Sequence, residues 1–498
     1  MADTPNVIII MTDQQRADLS QREGFSLDTT PFLDNLSREG VWFNRAYTSA
    51  PICVAARISM LTGRYPSATH VRSNHNIKDA YYTQDMFDVF RANGYAIGFS
   101  GKNHSYQSKE NTDYWFSCDH MGVPDELLLT EEEKAFSQFM KSLRFHVSME
   151  PTPFPLELQG PYRIVSAAQE WIGSLAADQP FFLWLSFPEP HNPYQVPEPY
   201  YSLFPPESLP PTLADENAWE QKGFPYQWCR RSFEIAFPDY KNHIQRARAN
   251  YMGMLRLIDD QVKRFVTFLD GKGIKENTIL VFLSDHGDFV GEYGLLRKGP
   301  ELSEPLVRIP LQICGPGIRQ HEGPHRAHVS IVDLFPTLCE AIGVPLPDGV
   351  QGRSLWPLLT GEPYPEAEFT SAYAEQGFGG LHYTADEPLD PSADGLVAGR
   401  GYDCLNSWTQ SGTMRMIRKS DWKLQYDMQG RGRLYNLSED PVELHNLWHD
   451  PRYGAVRQEL TQDLLTWVLR VHDPLPLPRR RYVLKRDPRN YWEPYRQH

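Results

Sequence analysis

The stretch NVIIIMTDQQR, residues 6–16, decides the fold. Its apolar residues run on without polar alternation and then stop abruptly at Asp13 and Gln14. An unbroken apolar run of this length is the pattern of a strand covered on both faces, as in a parallel α/β sheet. Three further runs repeat the design. YAIGFSGKNH (95–104) runs into Lys102 and His104, PFFLWLSFPEPH (180–191) into Glu189 and His191, and TILVFLSDHGD (278–288) into Asp285 and His286. In open α/β sheets ligands bind beyond the carboxyl ends of the strands. Four strands that deliver Asp, Lys, His and Asp-His to that edge predict one site.

Between the runs lie helical stretches. YMGMLRLIDDQVKRFVTFLDGKG (251–273) carries Met254, Ile258, Val262, Phe265 and Leu269 on one face and closes at Gly271. Segments 105–165 and 195–245 are rich in Pro and aromatic residues, carry no motif and are expected to rim the site. After about residue 370 the texture changes. MRMIRKSDWKLQYD (414–427) and GRLYNL (432–437) read as short strands joined at MQGRG, followed by a helix with Val456, Leu460, Leu464, Val468 and Val471 on one stripe. The division expected is a main α/β domain over 1–370, a small antiparallel sheet plus helix over 371–472, and a basic, aromatic arm over 473–498. That arm is too polar for a core of its own and is expected to lie on a neighbouring subunit or to be loosely ordered.

With 498 residues, 41% hydrophobic and 22% charged, the chain has the composition of an ordinary globular enzyme and the length for two domains. A net charge of −14 argues against nucleic acid or an anionic membrane as partner. The same field repels a highly sulfated polymer unless the site is locally basic. No apolar run reaches the length of a membrane span, and MADTPNVIIIMTDQQ lacks the features of a secretory leader, so a cytoplasmic location is expected. Cysteines 53, 118, 229, 314, 339 and 404 are scattered without a CxxC pair, which argues against a zinc site or disulfide framework and fits a reducing compartment.

Asp13, Gln14, Asp285 and His286 offer two carboxylates, an amide oxygen and an imidazole, a set that suits one divalent cation such as Ca²⁺, Mg²⁺ or Mn²⁺. The alternative is that both pairs are turn formers whose Asp caps the next helix. Cys53, in SAPICVAARISMLTG (49–63), stands where a helix is expected to begin. Helix N-terminal amides favour a negative group there, and Arg57, one turn on, points at the same spot. Cys53 reads as a buried small hydrophobe, a nucleophile or the precursor of another group. Lys102, Lys298, His104 and His191 add positive charge and proton donors. With a cation and Arg57 they describe a cradle for a tetrahedral oxyanion, a sulfate or phosphate ester.

The sequence resembles the type I, formylglycine-dependent sulfatases of the alkaline phosphatase superfamily. The pieces that carry the resemblance are PNVIIIMTDQQR, APICVAARISMLTGRYP, GYAIGFSGKNH, PFFLWLSFPEPHNPY, ILVFLSDHGDFVGEYGLLRKGP, DWKLQYD and GRLYNLSEDPVELHNL, in the family's order over most of residues 5–450. The resemblance implies an alkaline phosphatase-like α/β fold, with a large mixed, mostly parallel sheet flanked by helices and a smaller C-terminal antiparallel sheet plus helix. It implies that Cys53 is oxidised to formylglycine by a maturase, with the hydrate as nucleophile. It assigns Asp13, Gln14, Asp285 and His286 to one divalent cation, Ca²⁺ ahead of Mg²⁺ or Mn²⁺. Arg57 then supports the formylglycine, and Lys102 and Lys298 neutralise sulfate oxygens. His104 acts on the second hydroxyl, and His191 with Lys298 protonates the leaving alkoxide.

Two positions depart from the family pattern. Ala55 replaces the proline of the Cys-x-Pro-x-Arg signal, and Gln14 stands where many members have Asp. Gln14 with Asp285 and His286 also resembles the phosphonate monoester and phosphodiester hydrolases of the superfamily, which do not typically carry the GKxH pair present here. SGKNH resembles choline sulfatases. The substrate expected is a sulfated sugar, as a small molecule or oligosaccharide, and the chain is expected to be a homo-oligomer.

Overall fold

The computed structural model describes residues 4–124, 129–237, 239–379, 412–473 and 487–493. The opening run forms strand β1 (Asn6–Asp13), buried along its whole length. Val7, Ile9 and Met11 pack into one apolar cluster, while Ile8 and Ile10 pack into another. That two-sided burial is why the run carries no polar alternation.

Around β1 a seven-stranded sheet is assembled from β2 (Gly40–Trp42), β4 (Ala96–Gly101), β5 (Tyr114–Ser117), β6 (Phe181–Pro190), β7 (Thr278–Ser284) and β8 (Leu311–Cys314), in the order β2-β8-β7-β1-β6-β4-β5. The strands from β7 to β5 run parallel; β8 is antiparallel to β7, and β2 to β8. The sheet is therefore mixed and mostly parallel. The four apolar runs are its four adjacent central strands.

Helices cover both faces. Helix Cys53–Thr62 contributes Ala56, Met60 and Leu61 to one side, with Phe87 and Phe90 of Met86–Ala92 and Leu334, Phe335 and Leu338 of Leu334–Ala341. On the other side lie Ile164, Ala168 and Trp171 of Gly160–Ser174 and Ile258, Val262, Phe265 and Leu269 of Tyr240–Gly271. The latter helix ends at Gly271 but starts at Tyr240, eleven residues before the quoted stretch (251 minus 240). Its first turns bury Arg246, Arg248 and Asn250, whose side chains bond main-chain carbonyls of Tyr201, Pro210, Ser148 and Tyr194. Buried polar residues of this kind erase the apolar period from the sequence. Helices Glu131–Ser142 and Phe224–Ala236 also occupy the two segments that carried no motif.

Two short parallel strands, β3 (Ala46–Tyr47) and β9 (Val329–Ser330), pair beside the main sheet. Strands β10 (Ser371–Gly379), β11 (Gly412–Lys419), β12 (Trp422–Asp427) and β13 (Gly432–Asn436) form a separate antiparallel sheet in sequence order. Tyr373, Ile417, Leu424 and Leu434 pack on Leu460, Leu464, Trp467 and Val471 of helix Gly454–Val471. Ala372, Ala374, Met414 and Met416 on the other face meet Tyr47, Leu302 and Val307.

Of the expected arm, 474–486 and 494–498 lie outside the described residues. Residues 487–493 depart from the expectation of an arm on a neighbour, because they pack on their own chain. Tyr491 is buried in the main core and donates to the Ser354 carbonyl at 2.7 Å, while Arg489 pairs with Glu340 and Glu362. Among the described residues no helix is long and apolar enough to cross a membrane. The described cysteines are free and buried; Cys404 lies outside the described residues.

Candidate active site

Register sets the site. Thr12 of β1 pairs with Ser284 of β7, so Asp13 and Asp285 emerge side by side, and Gly101 of β4 pairs with Ser186 of β6. Gly101 has φ 122°, and a Cβ there would strike the Ser186 carbonyl. Only glycine allows the close approach that lets the Lys102 amide donate to that carbonyl at 2.8 Å.

Arg57 is fully buried beneath the site. Its Nη2 donates to Asp13 Oδ2 at 2.9 Å and its Nε to Asp285 Oδ2 at 2.8 Å, while Nη1 reaches the Lys102 carbonyl and Ser186 Oγ. One guanidinium therefore ties together all four central strands, β7, β1, β6 and β4. Lys102 Nζ lies 2.5 Å from Asp13 Oδ2. Burial drives the Asp13 carboxyl up, but Lys102, His191, Arg57 and His286 outweigh it and hold Asp13 well below the usual carboxylate range.

Cys53 opens its helix as the first helical residue, with no side-chain cap before it. Its Sγ lies 3.1 Å from Lys298 Nζ, 3.2 Å from His286 Nε2 and 3.7 Å from Asp13 Oδ1. Burial and Asp13 raise the thiol, yet Lys298, Lys102 and His286 bring it below its ordinary value. Burial pushes the other four described cysteines up. A thiol held toward its anionic form among cations is not a mere space-filler.

Gln14 adopts φ 68°, the left-handed region that is uncommon for a side-chain-bearing residue. Its Nε2 donates to Asp288 Oδ2 at 2.5 Å and to Asn192 Oδ1 at 3.4 Å. Its Oε1 is buried and has no hydrogen-bond partner among the described residues. His286 donates Nδ1–H to the Gly287 carbonyl at 2.9 Å. Although burial lowers the imidazole, Asp285 and Cys53 raise it above its ordinary value, so Nε2 is the nitrogen that becomes a lone-pair ligand once an ion displaces its proton. Donor atoms of Asp13, Cys53, Asp285 and His286 lie within 4.8 Å of one another. Two carboxylates, an imidazole lone pair and an orphaned amide oxygen fit a hard divalent cation, and the orphan is otherwise a cost without return.

The structure brings His191 and His104 to the same place. His191 bonds the Asn192 carbonyl through Nδ1 at 2.7 Å. His104 has φ 40°, and its buried Nδ1 has no partner among the described residues. Burial, aided by positive neighbours, holds both imidazoles well below their ordinary value, so both rest neutral. Lys298 is raised, because Cys53 and Asp13 more than offset its burial.

Sequence reasoning missed His120. It receives Lys102 Nζ at 2.6 Å on Nε2, stacks on His191 with ring centroids 4.0 Å apart and leaves Nδ1 buried without a partner among the described residues. Asp13, His120 and His191 form a second set of metal-type donors, but the Lys102 ammonium already bridges Asp13 and His120. Asn192 and Asp288, inside stretches quoted above, also belong to the site through their contacts with the Gln14 amide. Asn74 Oδ1 accepts the Val54 amide at 3.3 Å, beside Cys53.

The family description Sulfatase matches residues 5–344. The chain belongs to the sulfatase family. This sulfatase is similar to the arylsulfatase of Clostridium perfringens, at 27% identity over 90% of this chain and 91% of that one. It is similar to the ulvan-active sulfatase of Formosa agariphila, at 25% identity over 92% and 80%. In fold it is similar to the phosphonate monoester hydrolase of Silicibacter pomeroyi, with TM-score 0.75 and 21% identity over 94% and 96%. The sulfatase is a sulfuric ester hydrolase of the alkaline phosphatase superfamily, and the neighbours include sulfatases of sulfated sugars.

Proposed function

We propose that this sulfatase hydrolyses a sulfate monoester of a sugar, using formylglycine made from Cys53 and one divalent cation, Ca²⁺ first, held by Asp13, Gln14, Asp285 and His286. The observation that carries the reading is the surroundings of Cys53 Sγ, with Lys298, His286 and Asp13 all within 3.7 Å. That sulfur stands for the oxygens of the formylglycine hydrate, which bring two hydroxyls to one carbon, one to attack sulfur and one to expel sulfate as the aldehyde re-forms. Bound there, the cation would supply Lewis-acid charge to the reaction.

The chain's own residues do the rest. Lys102 and Lys298 meet the sulfate oxygens, where charge gathers in the transition state. Lys298, its ammonium held protonated by Cys53 and Asp13, supplies the proton for the leaving sugar oxygen, and His191, its Nδ1–H committed to the Asn192 carbonyl, relays it through its neutral Nε2. His104, neutral at rest, takes the proton from the second hydroxyl when sulfate leaves. Arg57 helps keep Asp13 ionised and holds both Asp13 and Asp285 in place.

The likeness to the ulvan-active sulfatase supports a sugar substrate. Gln14 and His286 favour a second reading, a phosphonate monoester or phosphodiester hydrolase. Lys102 weighs against it, since a second cationic contact on a compact oxyanion crowds the place of a second ester arm. Turnover of sulfated monosaccharides against bis-aryl phosphodiesters by the matured enzyme separates the two. Faster sulfate turnover, lost in Lys102→Ala, is the expected result; faster diester turnover overturns the sulfatase reading.

A further inference from the structure

The buried carboxylate of Asp288 is fully enclosed and accepts four donors. Oδ1 receives the Val290 amide at 2.8 Å and the Arg297 amide at 2.7 Å. Oδ2 receives the Tyr194 hydroxyl at 2.7 Å and Gln14 Nε2 at 2.5 Å. With two backbone N–H groups and the Tyr194 hydroxyl all donating to it, the Asp288 carboxyl meets Gln14 as an acceptor and so tells the two ends of an amide apart. The Asn192 Oδ1, on the same Nε2 at 3.4 Å, is a second acceptor. With Nε2 claimed twice, Oε1 is turned the other way, and it is Oε1 that is buried and unpartnered.

We propose that Asp288 is a positioning residue that orients the Gln14 amide so that its oxygen, not its nitrogen, faces the cation. The inference rests on the cation site proposed above. It explains how a neutral amide serves where a carboxylate would present oxygen in either orientation. A glutamine free to rotate offers NH₂ to the ion half the time, and an NH₂ group repels it. The same carboxylate holds the Arg297 amide, one residue before Lys298, in a turn where Val290, Tyr293 and Arg297 all have positive φ. One side chain thus couples the cation ligand to the segment that carries Lys298.

Asp288→Asn nearly preserves shape, and the amide oxygen still accepts from Val290 and Arg297. The new NH₂ then faces Gln14, whose amide turns over and points Nε2 at the ion. Gln14→Glu alone adds a charge that would ordinarily tighten cation binding, but here it sets a carboxylate against Asp288. Combining Gln14→Glu with Asp288→Asn restores a donor–acceptor pair and presents oxygen to the ion.

The test is calorimetric titration of Ca²⁺ and Mn²⁺ into chelator-stripped full-length protein, with melting temperature of each cation-free variant as control. The parent is expected to bind one ion. Asp288→Asn is expected to weaken binding about 10–100-fold, Gln14→Glu is expected to weaken it too, and the double variant is expected to recover most of the loss. Unchanged affinity in Asp288→Asn, tighter binding in Gln14→Glu, or a double variant weaker than either single one overturns the inference. If Asp288→Asn does not fold, Gln14→Glu alone decides by the sign of its change. A parent that binds no ion overturns the cation site itself, a separate outcome.

Discussion

Two buried ion clusters invite comparison. One is the active site, where Asp13 and Asp285 meet Arg57, Lys102 and Lys298. The other lies where the C-terminal sheet meets the main body. There Lys423 Nζ sits 2.5 Å from Glu443 and 3.1 Å from Glu304, and Lys222 Nζ donates to the Glu443 carbonyl at 2.9 Å. Lys423 and Glu443 are as deeply buried as Asp13. Burial of charge therefore does not mark a site, since structural networks do the same. What differs is the remainder. At the boundary the charges answer one another and link β12 to the Glu304 segment. The boundary too has buried atoms without a hydrogen bond, the Glu443 oxygens, but these face the ammonium groups of Lys423 and Lys222. In the active site Gln14 Oε1, His104 Nδ1 and His120 Nδ1, buried with no hydrogen-bond partner among the described residues, belong to neutral side chains with no such counter-charge to answer.

If that distinction holds, variants of the first cluster lose activity and variants of the second lose stability. Cys53→Ala should cost roughly 10⁵-fold in kcat with little change in melting temperature; substantial residual turnover would break the comparison at its centre. Lys102→Ala should lower sulfate monoester turnover about 10²–10³-fold, measured in matured protein at saturating cation. Lys423→Met leaves Glu443 and Glu304 without their ammonium and should cost about 3–5 kcal/mol in urea unfolding, while kcat of the folded fraction stays as in the parent. A large loss of kcat in Lys423→Met would mean that the boundary cluster serves the chemistry as well.

The smallest effect belongs to Glu189, near the end of β6, where burial pushes the carboxyl up to about 8 over the opposing pull of a backbone hydrogen bond and Lys102. The native state then keeps a proton that the unfolded chain releases near pH 4.3 or so. Its contribution is full below that pH and is lost as pH rises through about 8. Glu189→Gln stays neutral throughout, so it should match the parent near pH 4 and exceed it by about 2 kcal/mol near pH 6, the gap widening until about pH 8. A gap that shrinks with rising pH contradicts the assignment.

The centre of the fold was legible in the sequence because its four strands are buried on both faces and read as unbroken apolar runs. The edges were not. Strands β2, β5 and β8 span three or four residues each, too short for any period to show, and the antiparallel course of β8 is fixed by packing alone. Residues placed directly at strand ends, such as Asp13 and Asp285, could be read from where the apolar run stops. His120 could not, because it follows an edge strand whose pairing with β4, through the Cys118 amide on the Gly101 carbonyl, is what carries it to Lys102. Asp288 stood in plain view in TILVFLSDHGD, but its task depends on the amide of Gln14, 274 residues away.

The most direct measurement is the mass of the tryptic peptide AYTSAPICVAAR, residues 46–57, from protein made alongside a formylglycine-generating maturase. Cys53 is expected to appear as the aldehyde or its hydrate, with activity rising in proportion to the converted fraction. Full sulfate ester turnover by protein whose Cys53 remains a thiol would contradict it.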